Sequence, residues 1–306
     1  MSPGGTAGVP EPVGKSGNSS AAPGDRVPEN GTLYLCATPI GNLADITLRV
    51  LETLREVRLV AAEDTRRTRK LFSRYGISTP MISYREENRE KAGSTVISTL
   101  EEGNDVALVS DAGTPGISDP GSHLLCACLD RGLKVEVLPG PSAVVTALVA
   151  SGLPAGRFAF EGFLPRKQGP RARALKALKN ETRTMVFFEA PSRVKGMLGA
   201  ILEQLGDRRI ALARELTKKF EQVLRGNVSS LLEELECTAP RGEYVIVVEG
   251  STRSECLSPE QALEAVDALL REGMSLKDAT GRLAGPGTGL SRRELYDAAV
   301  KRQRET

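Results

Sequence analysis

From Thr32 onward, hydrophobic positions fall in two alternating rhythms. Short continuous apolar runs, such as Leu33-Tyr34-Leu35-Cys36-Ala37 and Val106-Ala107-Leu108-Val109, have the length of buried strands. Between them apolar side chains recur at helical spacing, as at Ile46, Val50, Leu51, Leu54 and Val57. The pattern predicts strands at 33–37, 58–62, 81–83, 105–110 and 134–138. It predicts helices at about 46–57, 65–75, 86–102, 120–131 and 141–151. Strands alternating with helices imply a mostly parallel, covered sheet.

Ser151-Gly152-Leu153-Pro154 reads as a hinge to a second α/β half. That half has predicted strands at 157–162, 184–189, 209–215, 221–225 and 243–249, with helices at about 170–179, 192–205 and 228–235. The short link between strands 209–215 and 221–225 predicts a mixed or antiparallel sheet. From Ser251 the pattern changes to three short helices, at 259–271, 276–284 and 292–302, each preceded by a serine that can cap it. The expected organisation is a disordered tail over 1–31, α/β domains over 32–151 and 152–250, and a helical module over 251–306.

The tail is rich in Gly, Pro and Ser and nearly free of large apolar residues, so burial cannot offset its ordering entropy. It lacks the basic start and apolar stretch of a secretory signal. Gly14-Lys15-Ser16 resembles the end of a phosphate loop, but Val9 stands where the earlier glycine is required and no strand precedes it. No apolar run approaches the ~20 residues of a membrane span.

The chain has 306 residues with 41 Lys+Arg against 39 Asp+Glu, a balance that by itself points to no nucleic-acid partner. Its five cysteines, Cys36, Cys126, Cys128, Cys237 and Cys256, form no C-x-x-C pair, so neither a disulfide framework nor a zinc site is expected. Cys126 and Cys128 should point to different helix faces. Buried reduced thiols fit a reducing, cytoplasmic compartment. His123 is the only histidine, which excludes a His-based triad or a multi-His metal site within one chain. It opens the apolar run SHLLCACL and reads as a packing or capping residue. No metal is expected.

Four loops after strands gather Gly, Pro, Ser, Thr and acidic residues: Thr38–Asn42, Glu63–Arg66, Ser110–Gly121 and Leu138–Ala143. In an open α/β sheet, ligands sit outside the carboxyl ends of strands. The third loop packs three glycines and two prolines into twelve residues, which fixes the backbone and lets it approach a ligand closely. Asp111 follows a buried strand directly, where a carboxylate can accept hydrogen bonds from a ligand amine or hydroxyl. No G-x-G-x-x-G follows a strand, so a dinucleotide fold has no support.

The strings LYLCATPIGNLADITLRVLETL, AAEDTRRTRKLF, LVSDAGTPGISDPG, LPGPSAVVTALVASGLP, FFEAPSR and ARELTKKFEQVLRG resemble the tetrapyrrole-methylase superfamily, in its small-subunit ribosomal RNA branch, from about Thr32 to Gly250. The resemblance implies a two-domain α/β fold with S-adenosylmethionine in the cleft between domains. It implies a homodimer that methylates the ribose 2′-oxygen of a cytidine in the decoding centre of 16S rRNA. Family cofactor contacts carry over onto Pro39, the loop from Asp111 through Ala112, Gly113, Thr114 and Ile117 to Ser118, and onto Ser142, Ala143, Phe188, Ala213 and Arg214. Ser192 departs from the family pattern, standing where many relatives place His in the E-A-P-H-R string. Proton transfer by that His would be lost here, while a phosphate contact by Arg193 is untouched.

Methyl transfer to a ribose oxygen is an in-line displacement in which the enzyme mainly aligns the reactants, and a nearby base helps to remove the hydroxyl proton. The candidates are Glu63, Asp64, Glu215 and a Lys218 of depressed pKa, and sequence does not choose among them. Phosphate contacts need cations. Three clusters qualify: Arg66, Arg67, Arg69 and Lys70; Arg166, Lys167, Arg171, Arg173, Lys176 and Lys179; and Arg214, Lys218 and Lys219. Each could equally be a solvated helix face.

Two rival readings stay open. One is a methyltransferase acting on a tetrapyrrole or another small acid-bearing molecule, whose carboxylates would also attract Arg and Lys. The other is a non-catalytic RNA-binding protein, against which the aromatic content of 4% and the absence of Trp argue.

Overall fold

The computed structural model describes residues 30–236, 240–251, 258–285, 288 and 290–305. The expectations for residues 1–29, Cys237 and Cys256 lie outside these.

The first half builds a five-stranded, all-parallel sheet from β1 (Thr32–Cys36), β2 (Leu59–Ala62), β3 (Met81–Ser83), β4 (Val106–Val109) and β5 (Lys134–Leu138), in the order β3-β2-β4-β1-β5. Strand side chains alternate between two apolar layers. Helices α1 (Leu48–Glu56) and α2 (Thr65–Tyr75) cover one face with Val50, Leu54, Leu71 and Phe72. Helices α3 (Arg89–Glu101) and α4 (Gly121–Leu129) cover the other with Val96, Leu100, Leu124 and Cys128. Both faces are therefore dry, which is why β4 reads as an unbroken apolar run. The single helix expected at 86–102 is a 3-10 turn, Glu86–Asn88, leading into α3. Helix starts follow side-chain caps: Thr47 accepts the Val50 N–H for α1, and Asp64 accepts the Arg66 N–H for α2.

The second sheet is mixed, as expected, in the order β6-β7-β10-β8-β9. Strands β6 (Phe158–Phe163) and β7 (Thr184–Glu189) are parallel. Strand β10 (Tyr244–Val248) runs antiparallel to β7 and to β8 (Arg209–Arg214), and β9 (Gln222–Asn227) antiparallel to β8. Helices α6 (Gln168–Ala177), α7 (Val194–Leu205) and α8 (Val228–Glu236) fill one face with Leu175, Met197, Leu198 and Leu231.

The opposite face is covered by α5 (Ala143–Ser151), whose Val144, Ala147 and Leu148 pack on Val186, Ala211, Val245 and Val247. Sequence order places this helix in the first half, yet its core partners belong to the second sheet. Its apolar positions surround the helix, so periodicity alone assigned it no face.

Helices α9 (Pro259–Arg271), α10 (Leu276–Leu283) and α11 (Arg292–Glu305) share a small core of their own around Val266, Ala279 and Leu295. Cys36 and Cys128 are buried, and burial pushes their thiols up to about 12 and about 11. Cys126 is exposed, because it lies on the outer face of α4, so the expectation of burial fails there. His123 is also exposed and caps nothing, since its side chain leaves the same helix toward solvent. Among the described residues, no helix is long and apolar enough to cross a membrane, and no group of three potential ligands could hold a metal ion.

Candidate active site

The carboxyl ends of β1, β4 and β5 present three of the four loops to the second sheet. Thr38 and Gly113 exchange backbone hydrogen bonds at 2.9 Å, and Thr38 Oγ1 donates to Ser110 O at 3.0 Å, so the first and third loops form one unit. Gly140 of the fourth loop lies against Ala37, where a Cβ would come within 2.7 Å of the alanine methyl. Across the cleft, the Asn42 N–H donates to Thr217 Oγ1 at 2.9 Å. Gly41 approaches so closely that a Cβ would stand 2.6 Å from Leu216 O. This contact needs glycine.

Between these loops lies a cavity of about 410 Å³, within the range of small-molecule sites. The first half contributes Ile40, Glu63, Arg67 and the third loop from Ser110 to Asp119. The α5 start contributes Ser142, Ala143 and Val144, and the second sheet contributes Phe163, Phe188, Glu215, Leu216 and Val245. Phe160 meets Phe188 edge-on and Phe163 meets it at a tilt, with centroids 4.9 and 5.5 Å away, making an aromatic wall.

The described non-glycine residues with positive φ are Ser118 (63°), Glu215 (52°) and Thr217 (65°). Ser118 and Glu215 line the cavity, and Thr217 holds the loop across it. Strain gathered at one place fits a binding site whose backbone is over-determined by its surroundings.

Most of the expected cofactor residues meet here: Asp111, Ala112, Gly113, Thr114, Ile117, Ser118, Ser142, Ala143 and Phe188 all line the cavity. Pro39, Ala213 and Arg214 do not. Ile40 faces the cavity beside Pro39, and Ala213 is fully buried on β8. Asp111 holds Arg67 at 3.3 Å through Oδ2, while its buried Oδ1 has no partner among the described residues. A bound hydroxyl or ammonium would satisfy that oxygen.

The four candidate bases differ. Asp64 is bound by Arg66 in a bidentate contact at 2.8 and 3.1 Å, which drives its carboxyl far below the usual range. The Lys218 ammonium donates to Glu215 at 3.0 Å and lowers that carboxyl too, so Lys218 is held within an ion pair. Glu63 shifts the other way. Burial raises it, the charges of Asp111 and Asp119 add to the rise, and the Asp111 N–H and Arg67 oppose it.

The basic residues also separate. Arg66, Arg69 and Lys70 border a groove along α2. Arg166 and Lys167 are exposed between β6 and α6, and Lys219 is exposed beside Phe220. Arg193, expected at phosphate, is half-buried and paired within the fold: its Nε lies 3.1 Å from the fully buried Glu189, and Nη2 donates to Leu164 O. Sequence reasoning missed Phe163, Glu189, Glu243 and Arg85, whose Nε donates to Glu63 O at 3.0 Å. The E-x-x-x-R spacing of Glu189 and Arg193 was the one available signal.

The family described as tetrapyrrole (corrin/porphyrin) methylases matches residues 32–232. A Bacillus subtilis protein named ribosomal RNA small subunit methyltransferase I is 45% identical over 274 residues, covering 88% of this chain and 94% of its own. An Escherichia coli O157:H7 protein of the same name is 45% identical, covering 89% and 96%. A Thermotoga maritima protein of that name is 49% identical over 220 residues, which is 99% of its length but 72% of this chain. Among solved structures, cobalt precorrin-4 methyltransferase superposes with a TM-score of 0.56 at 18% identity, covering 71% of this chain and 94% of that one. Such distant structures speak for the fold alone.

Proposed function

The chain belongs to the tetrapyrrole methylase family, in its small-subunit ribosomal RNA methyltransferase branch, and on that premise we propose that it transfers a methyl group from S-adenosylmethionine to 16S rRNA. The acceptor in this reading is the ribose 2′-oxygen of a cytidine in the decoding centre.

The observation that carries the cofactor assignment is Asp111, which lines a cavity with an aromatic wall and whose buried Oδ1 has no partner among the described residues. The residues present fit the group. Asp111 would take its hydroxyl or ammonium protons, Phe188 and Ile40 would pack on its apolar surface, and the start of α5 offers backbone N–H groups to a carboxylate. When bound, it supplies an electrophilic methyl carbon on sulfur. The chain's own part is to orient the acceptor, exclude water and accept a proton.

The small-molecule alternative has less support. Relatives at 43–49% identity carry the ribosomal RNA name, and the basic path along α2 suits a polyanion. RNA contacts are assigned to Arg66, Arg67, Arg69, Arg166, Lys167, Lys218 and Lys219. Arg193 is left out because its charge is used inside the fold. Residues 32–151 and 152–250 serve as the two walls of the cleft, with α5 as the element they share. Exposed Val137, Val145 and Val149 offer apolar surface to a second copy, in keeping with a cytoplasmic homodimer.

The test is calorimetric titration with S-adenosylmethionine, followed by nucleoside mass spectrometry of small-subunit RNA incubated with the protein. Saturable binding and appearance of a 2′-O-methylcytidine are expected. A protein that binds the cofactor but methylates only a porphyrinoid refutes the RNA reading.

A further inference from the structure

Glu63 stands on a partition. The main cavity and a smaller polar groove of about 280 Å³ share two residues, Glu63 and Asp111. The groove is otherwise walled by Asp64, Arg66, Arg85 and Glu86, among others. Arg66 in turn borders an open groove with Arg69, Lys70 and Ser73. Basic side chains of α2 therefore lead along the outer groove as far as Arg66, beyond which the smaller groove sets Arg66 and Arg85 against Glu63, Asp64, Glu86, Glu87 and Asp111, with the apolar cavity on the far side.

Most carboxylates lining the cavity are already engaged, and Asp111 keeps only the Oδ1 that the cofactor would take. Asp119 accepts N–H groups of Gly116 and Gly121 at 2.7–3.0 Å. Glu189 is closed from solvent and paired with Arg193. Glu215 and Glu243 both face Lys218, at 3.0 and 4.0 Å. Asp111 pairs with Arg67. Glu63 has no ion pair among the described residues. Its Oε2 accepts the Asp111 N–H at 3.0 Å, which leaves Oε1 free for a ligand.

We propose that Glu63 accepts the proton of the substrate hydroxyl, with the nucleotide reaching it through the α2 groove and the methyl donor lying on the apolar side. This assignment rests on the RNA-methylation reading above. The step balances. The hydroxyl proton passes to Glu63 Oε1, and the oxygen's electron pair forms the bond to the methyl carbon. The carbon–sulfur bond breaks with its pair retained on sulfur, so a sulfonium becomes a neutral thioether and Glu63 becomes a neutral acid. Burial favours that neutral acid, which makes Glu63 a stronger base than Asp64 or Glu215. Asp111, Asp119 and Arg67 are the charged groups that act on it.

Glu63→Gln separates this role from an architectural one. Glutamine keeps a carbonyl oxygen for the Asp111 N–H but cannot take a proton. The expected result is a loss of kcat of about 100-fold or more, with S-adenosylmethionine and RNA affinities within threefold of wild type. The wild-type kcat should rise with pH through one ionisation, because only the carboxylate accepts a proton, and the residual rate of the variant should not. In the enzyme without ligands, the infrared band of a protonated carboxyl titrating at the raised position should disappear in the variant. A Glu63→Gln enzyme with kcat within threefold of wild type overturns the assignment, most plainly if Glu63→Ala, which loses the loop contact, is the variant that fails. Wild type that transfers methyl to no small-subunit RNA overturns the reading and the assignment together.

Discussion

At the scale of single residues, Asp111 divides its work: Oδ2 holds Arg67 and buried Oδ1 waits for a donor. Asp111→Ala should weaken S-adenosylmethionine binding tenfold or more, about 1.4 kcal/mol, with little change in melting temperature. Titration calorimetry and a thermal melt check both. Arg193 gives the converse case. Its partner Glu189 is fully buried, so Arg193→Ala leaves a carboxylate without its cation and should destabilise the fold by about 3–5 kcal/mol. Urea denaturation measures this, and the double replacement Glu189→Leu with Arg193→Met should recover most of the loss. These two residues also mark how far sequence reaches. Asp111 was legible because a carboxylate directly after a buried strand, in a Gly/Pro-rich loop, has few structural duties. The ion pair of Arg193 was not legible, because charge in a string of letters carries no burial. The raised Glu63 and lowered Asp64 are neighbours of the same chemical type. Only the fold reveals that Asp64 is gripped by arginines while Glu63 is desolvated beside two other carboxylates.

At the scale of elements, α2 carries Arg66, Arg69 and Lys70 on the face that borders the outer groove. Replacing Arg69 and Lys70 with Gln should weaken RNA binding and flatten its salt dependence, leaving cofactor affinity intact, since phosphate contacts add affinity through counterion release. The same measurement on Arg166, Lys167, Arg171 and Arg173 changed to Ala tests whether the α6 rim also docks RNA; normal methylation at subsaturating substrate would remove that rim from the interface. Strands and helices were legible almost to their ends, because continuous apolar runs and caps such as Thr47 and Ser258 are local signals. The packing of α5 was not, because an all-round apolar helix names no partner. Nor were the positive φ angles at Ser118, Glu215 and Thr217, since none of the three is glycine.

At the scale of the whole molecule, the three C-terminal helices close on a core separate from both sheets. Deleting residues 252–306 should leave cofactor affinity and the melting of the two-sheet body unchanged, as calorimetry would read, with any loss confined to RNA affinity. The two sheets, by contrast, are joined through α5 and through the Gly41–Leu216 approach, so neither wall of the cleft is independent of the other. The strand order carries a last consequence, for synthesis. Interior strand β1 is flanked by β4 and β5, and the hydrogen bond that opens its pairing, from the Thr32 N–H to Asp105, spans 73 residues. As the chain emerges from the ribosome, β1 is the earliest of the described strands and must wait for both neighbours. At about 5–20 residues per second, that leaves an apolar segment unpaired for several seconds. The nascent chain is thus most vulnerable to wrong pairing before β4 emerges, and slowing translation ahead of residue 105 should lower soluble yield more than slowing it afterwards.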